Sequence, residues 1–387
     1  MDFFRKNYNK QQRRSEIMRK YIDWDKKTHF VFPIDGDVLN KYDGEERDGK
    51  LYVKARVESD SPVKINGVVA EKCDDYYVAE VCIGEGKTVL KAEGENATDE
   101  ISVFTLDKHI GYYRLSSDDN IIFLYDINKN KDRYNSIFDN PYLAVYKKAH
   151  DLYGAAVHLN IYYEMPAEHK YFTETREYFN LSMMTDKFKA EWQANSDWLK
   201  LNFHAKADQP DKPYEDTDYD RIYNDCKKVM EEIVRFAGEE TLSAETTIHW
   251  GACTYEGVKA VRDLGIKTLA GYFVLEGGKP VVSYFYPKYL TDYLTTRDFW
   301  YDAELDVLYC KIDRVLNLHT ADECVELLNQ MNIEKTRSGF IELMMHEEYF
   351  YPDCTLYEED FEARVLEPCR WVYEKGYKGI FLDDTRK

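Results

Sequence analysis

From about residue 118 to residue 384, short apolar runs alternate with longer amphipathic stretches that end at glycine, and this alternation limits the chain to an α/β fold. The apolar runs are IIFLYDI at 121–127, AAVHLNIYY at 155–163 and LKLNFHA within Trp198–Asp208. They continue with ETTIHWG at 245–251, IKTLAGYF at 266–273, GFIELMMHEEYFY at 339–351 and YKGIFLDD at 377–384. Between them, helices are expected over 141–154, 185–196, 218–238, 254–265, 320–332 and 355–376, several closed by Gly. The stretch 274–318 is less regular. About seven β/α units fit a parallel sheet closed into a barrel, complete or incomplete, in which reactive groups lie at the carboxyl ends of strands.

The residues ahead of this region follow a different rule. Between about 28 and 108, short alternating runs are separated by Asp-Gly, Asn-Gly and Gly-Glu-Gly, which predicts an antiparallel β-sandwich. Residues 1–27 read as a strongly charged helix or arm, and 109–387 as the barrel.

Composition narrows the partners. The 52 basic and 72 acidic residues give a formal charge of −20, which repels nucleic acid and anionic membranes. No run of about 18 apolar residues is present to span a bilayer. The N-terminal segment is charged and has no apolar core of a secretory signal, so a cytoplasmic location is expected for the sequence as written. The eight Cys contain no C-x-x-C pair and read as reduced, mostly buried thiols. The 33 Tyr and six Trp include possible stacking faces for sugar rings.

The candidate chemistry gathers at predicted strand ends. His204 and Asp208 stand four apart where a strand gives way to a loop, so imidazole and carboxylate converge on a point that suits a divalent cation such as zinc. Asp126 closes an apolar run, where a buried carboxylate is costly unless paired. His249 and His346 also lie near strand ends. Glu347 and Glu348 read as a solvated rim, and Trp250, Trp300 and Tyr301 as either sugar platforms or packing residues.

In this order the segments resemble the polysaccharide deacetylase (NodB-homology) family. IIFLYDINKN stands where the family has a strand ending T-F-D-D, and FHAKAD matches H-S/T-x-x-H with Asp208 in place of the second His. TIHWGACTYEGVKAVRDLGIKTL resembles the R-P-P-x-G segment but lacks its Arg and prolines, and MMHEEYF ends like L-x-H, with His346 in the His position. The stretch VKINGVVAEKCDDYYVAEVCIGEGKTVLKAEGEN is similar to immunoglobulin-like modules found beside carbohydrate-active enzymes. The resemblance implies a deformed (β/α) barrel preceded by a small all-β sandwich. It further implies a divalent metal, zinc first, held by Asp126, His204 and Asp208. His346 would be the general acid, and Asp126 either ligand or base. His249 would join the catalytic group, with Trp250, Trp300 and Tyr301 against substrate. The implied activity is removal of acetyl groups from an N- or O-acetylated carbohydrate. The alternatives are a non-catalytic carbohydrate-binding or scaffold protein, and a glycoside hydrolase pairing Asp126 with Glu347.

Overall fold

The computed structural model describes residues 26–168 and 170–386. The charged helix or arm expected over 1–27 lies outside these residues except for its last two. The first body is built from two antiparallel sheets. One holds Thr28–Phe32, Glu45–Arg47, Lys50–Ser59, Glu71–Cys73 and Tyr76–Ile83; the other holds Lys64–Ile65, Val68–Val69, Lys87–Glu93 and Thr98–Phe104. In Lys50–Ser59 burial alternates, so Val53, Ala55 and Val57 turn inward against Leu90 and Val103. That period of two is what one wet and one dry sheet face requires. Asn66 and Gly67 both have positive φ (48° and 81°), the conformation a two-residue hairpin turn needs.

The remainder is mixed α/β with mainly parallel pairing. Its strands are β1 (Tyr112–Asn120), β2 (Val157–Tyr162), β3 (Leu199–Ala205), β4 (Glu245–Thr246), β5 (Thr268–Gly271), β6 (Val307–Lys311), β7 (Arg314–Val315) and β8 (Phe340–His346). One parallel ladder runs β3-β2-β1-β8-β7, and a second runs β4-β5-β6 with an antiparallel edge at Phe299–Asp302. The ladders meet twice. Ser243 N–H donates to the Leu201 carbonyl at 3.2 Å on one side, and Asp313 N–H donates to the Glu342 carbonyl at 3.0 Å on the other. Residues 307–315 therefore pass from β5 to β8 in one bent run.

The longer helices packed around these strands are α1 (Ile122–Lys129), α2 (Pro141–Tyr153), α3 (Tyr219–Phe236), α4 (Tyr255–Asp263), α5 (Ala321–Met331) and α6 (Phe361–Glu374), with two shorter ones at Lys189–Ala194 and Lys288–Leu294. Their caps explain their limits. Asn140 accepts from Leu143 N–H with Pro141 at the first helical position, and Gly154 closes α2 at φ 64°. Thr320 and Glu323 form a reciprocal capping box at the start of α5.

Two expectations are corrected here. Residues 121–127 form α1 rather than a strand, and the strand before it is the polar-looking YYRLSSDDN at 112–120. A seven-residue apolar run satisfies either geometry. The helix is favoured because the Glu347 carboxylate accepts from the N–H groups of Ile121, Ile122 and Phe123 at 2.6, 2.9 and 2.6 Å. These donors have no partner inside a helix, and a carboxylate there also meets the positive end of its dipole. At 377–384 only Lys378–Gly379 pairs as strand, and Leu382–Arg386 form a 3-10 turn.

Beneath the strand ends lies a fully buried ion group. Arg114 on β1 bonds both oxygens of Glu342 on β8 (2.8 and 2.6 Å) and one of Glu245 on β4 (2.5 Å). It ties the two ladders together below the site. All eight Cys are free, six of them buried. No helix among the described residues is long and apolar enough to cross a membrane.

Candidate metal centre

Three donors converge where β1, β3 and the turn after β4 end. Asp119, His204 and His249 each offer one ligand atom, and these atoms lie within 4.8 Å of one another. Asp119 has φ 64°, an uncommon left-handed conformation for a non-glycine residue, at the point where β1 gives way to α1. Its Oδ1 is 2.9 Å from His204 Nε2 and 3.1 Å from His249 Nδ1, and His249 Nδ1 is 3.0 Å from His204 Nε2. The Tyr162 hydroxyl donates to the same Asp119 oxygen.

The outer contacts orient the rings. His204 Nδ1 is 2.5 Å from the Thr247 carbonyl, so it carries the proton and leaves a lone pair on Nε2. His249 Nε2 is 3.2 Å from the Asp208 carbonyl, which in the same way leaves Nδ1 bare. Two imidazole lone pairs and a carboxylate oxygen then face one another in a buried space. Such a set is repulsive unless a proton or a cation sits among them. Ligands about 2.0–2.2 Å from one ion stand roughly 3.0–3.5 Å apart, close to the separations seen. Imidazole anchored through its second nitrogen to a carbonyl is the usual outer arrangement of a metal-ligating His.

Without a cation, protons take its place in this group: burial alone would push the Asp119 carboxyl up, but a protonated His249 and hydrogen bonds from both protonated imidazoles hold it well below the usual carboxylate range. Burial disfavours the charged His204 ring; the Asp118 and Asp119 carboxylates outweigh this and raise its pKa.

The residues expected at the site fall in different places. His204 and His249 belong to the three-donor group. Asp208 stands beside it, with Oδ1 3.8 Å from His249 Nε2 and 3.5 Å from the Tyr162 hydroxyl. His346 ends β8 opposite Asp118 in the ladder, and its Nδ1 is 2.8 Å from Asn317 Oδ1. Trp250 is 41% exposed beside His249, with ring centroids 6.0 Å apart.

Asp126 is not one of these three donors. It lies on α1, where its carboxylate accepts from Asn130 (2.9 Å), Tyr134 (2.8 Å) and Asn140 (2.7 Å) and ties that helix to the start of α2. Trp300 and Tyr301 lie on the edge strand Phe299–Asp302. Trp300 is buried and donates from Nε1 to the Asp35 carbonyl at 2.8 Å, and Tyr301 packs edge-on against Phe104 at 4.5 Å. Both hold the antiparallel body against the α/β body. Nor are Glu347 and Glu348 a solvated rim, since both are buried. Burial pushes the Glu347 carboxyl up to about 7, against the pull of Tyr351 and the three N–H groups of α1. Burial and the Asp119 charge hold Glu348 well above the usual range, and its Oε2 has no hydrogen-bond partner among the described residues.

Asp118 and Asp119 escaped the sequence reading. The available signal was the adjacent acid pair in RLSSDDN directly ahead of the apolar run. Asp118 is buried, and its Oδ1 accepts from Asn160 Nδ2 at 2.5 Å. Next to Asp119 opens a cleft of about 430 Å³, part of it open to solvent, with Tyr162, Asp208 and Glu348 also in its wall.

No family model matches the chain, and no curated protein does. Among solved structures, the chain is similar to a putative polysaccharide deacetylase from Mycobacterium smegmatis at 9% identity. That match covers 72% of this chain and 89% of the other, with a TM-score of 0.42. It is similar to the Xyl-CE4 domain of a multidomain xylanase from the hindgut metagenome of Trinervitermes trinervoides at 10% identity, covering 71% and 89%, with a TM-score of 0.33. It is also similar to a CE4 family pseudoenzyme from Bacillus anthracis at 10% identity, covering 75% and 74%, again with a TM-score of 0.33.

Proposed function

We propose that this chain is a divalent-metal-dependent hydrolase that removes an acyl group from an acylated carbohydrate, on a distorted barrel formed by its two parallel ladders. The observation that carries this reading is the convergence of Asp119, His204 and His249, with each imidazole anchored through its other nitrogen. These three residues would hold the ion, with zinc the first candidate, and Asp208 stands close enough to bond a ligand or the substrate. A bound divalent ion supplies Lewis-acid polarisation of the acyl carbonyl and acidifies water.

The protein's own groups complete the chemistry. Asp118, buried next to Asp119, is the base that takes the proton of the attacking water. His346, oriented by Asn317 through Nδ1, presents Nε2 to protonate the departing amine or alkoxide. Each such proton transfer contributes roughly 10²–10⁴-fold. Exposed Trp250 offers a face for a sugar ring. The glycosidase alternative loses support, because the Asp126 carboxylate is bonded within the α1–α2 region and Glu347 caps α1.

Elemental analysis of the native protein beside Asp119→Asn and His204→Ala tests the centre. About one zinc per chain, lost in both variants, together with acetate release from an acetylated chitooligosaccharide or xylan that disappears in His346→Ala, supports the proposal. No zinc uptake by the native protein refutes it and leaves the carbohydrate-binding alternative.

A further inference from the structure

The cleft beside Asp119 has an apolar side. Ile121, Ile122, Met165, Pro166, Ala167 and Phe172 supply it, and the rest of the lining is polar, with Glu164, Glu174, Arg176 and Glu348 beside Asp119, Tyr162 and Asp208. This wall is held in place on both sides. Ile121 and Ile122 follow Asp119 almost directly, and their N–H groups are bound by Glu347. On the other side, the Arg176 guanidinium lies 4.0 Å over the Phe172 ring and bonds Asp353 at 2.8 Å. An acetyl group would set a single methyl against this apolar side and leave the rest of it against water.

We infer that the acyl group removed at this site is an unbranched chain longer than acetyl, about four to six carbons, lying along the Ile121–Phe172 wall with its carbonyl at the Asp119 end. The inference rests on the hydrolase reading and names its substrate class. Each methylene buried on such a wall is worth about fourfold in affinity, so butyryl should be preferred to acetyl by about fifteenfold.

Calorimetric titration of the zinc-loaded protein with acetate, butyrate and hexanoate reads this preference without turnover, and p-nitrophenyl acetate and butyrate read it in kcat/KM. Butyrate binding about fifteenfold tighter than acetate is the expected result. Ala167 is half-exposed at the cleft. Ala167→Phe, whose ring would fill the space, should bring the two affinities together, with zinc stoichiometry as the folding control. Butyrate binding no tighter than acetate, or a preference that survives Ala167→Phe, overturns the inference. Zinc content of the same sample separates the two claims. Zinc bound without chain-length preference removes only the acyl cleft, whereas no zinc uptake removes the hydrolase reading and this inference with it.

Discussion

Replacing Arg114 by Met tests the physical account of this fold most severely. The guanidinium is fully buried and serves two carboxylates on two other strands, Glu342 through two bonds and Glu245 through one. Met matches much of the volume but leaves both acids without a counter-charge. Removing one partner of a buried ion pair costs about 3–5 kcal/mol, and two orphaned carboxylates place this substitution at about 5 kcal/mol near neutral pH. The pH dependence gives a second handle. In the native protein burial raises Glu245 to about 7, against the lowering effect of Arg114. A folded pKa above the unfolded one means that the folded state binds the extra proton. Glu245 therefore lowers stability as pH rises from about 4.5 to 7 and has no further effect above that. Without Arg114 the carboxyl rises further, so the variant goes on losing about 1.4 kcal/mol per pH unit beyond pH 7, where the native protein is level with respect to this group. Urea unfolding followed by circular dichroism at pH 7 and pH 8.5 measures both effects. A penalty below about 1.5 kcal/mol, or one that does not grow between the two pH values, would refute the reasoning.

Other consequences are open to test. Asp126→Asn should retain about one zinc per chain, because that carboxylate bonds only Asn130, Tyr134 and Asn140 in the contacts described, while losing about 1–2 kcal/mol of stability in the same urea assay; zinc loss with intact folding would return Asp126 to the centre. Glu347→Ala strips three N–H groups of α1 of their acceptor, and should cost about 3 kcal/mol or more and weaken zinc binding, since Asp119 leads directly into that helix. His158 is buried against the Ser243 hydroxyl at 2.6 Å, and burial holds its pKa well below 6.5. Its folded pKa is depressed, so the unfolded chain takes the proton first and stability falls as pH drops below about 6.5, at up to about 1.4 kcal/mol per unit. His158→Gln should flatten that limb of the stability–pH curve, and an unchanged slope would exclude His158 as its source.

Much of the architecture was legible in local chemistry. The Pro141 start and Gly154 stop of α2, the Thr320–Glu323 box of α5 and the Asn66–Gly67 hairpin turn are short-range signals, because the groups that satisfy each backbone end lie within a few residues. His204 was legible for a similar reason, as the polar end of an alternating strand. What the sequence determined by itself was therefore the alternation of strand and helix from Pro141 onward, the glycine stops and the histidines at strand ends. What tertiary structure alone decided was the identity of the first strand and, with it, the acid pair. YYRLSSDDN looks like a loop because its polar residues find partners far away in sequence, Arg114 in Glu342 and Asp118 in Asn160. IIFLYDI looks like a strand because hydrophobicity carries no period over seven residues, and it becomes a helix only when Glu347, more than two hundred residues later, caps its first turn. A donor set assembled from three strand ends depends on the same long-range pairing, so only the folded chain brings Asp119 to His204 and His249.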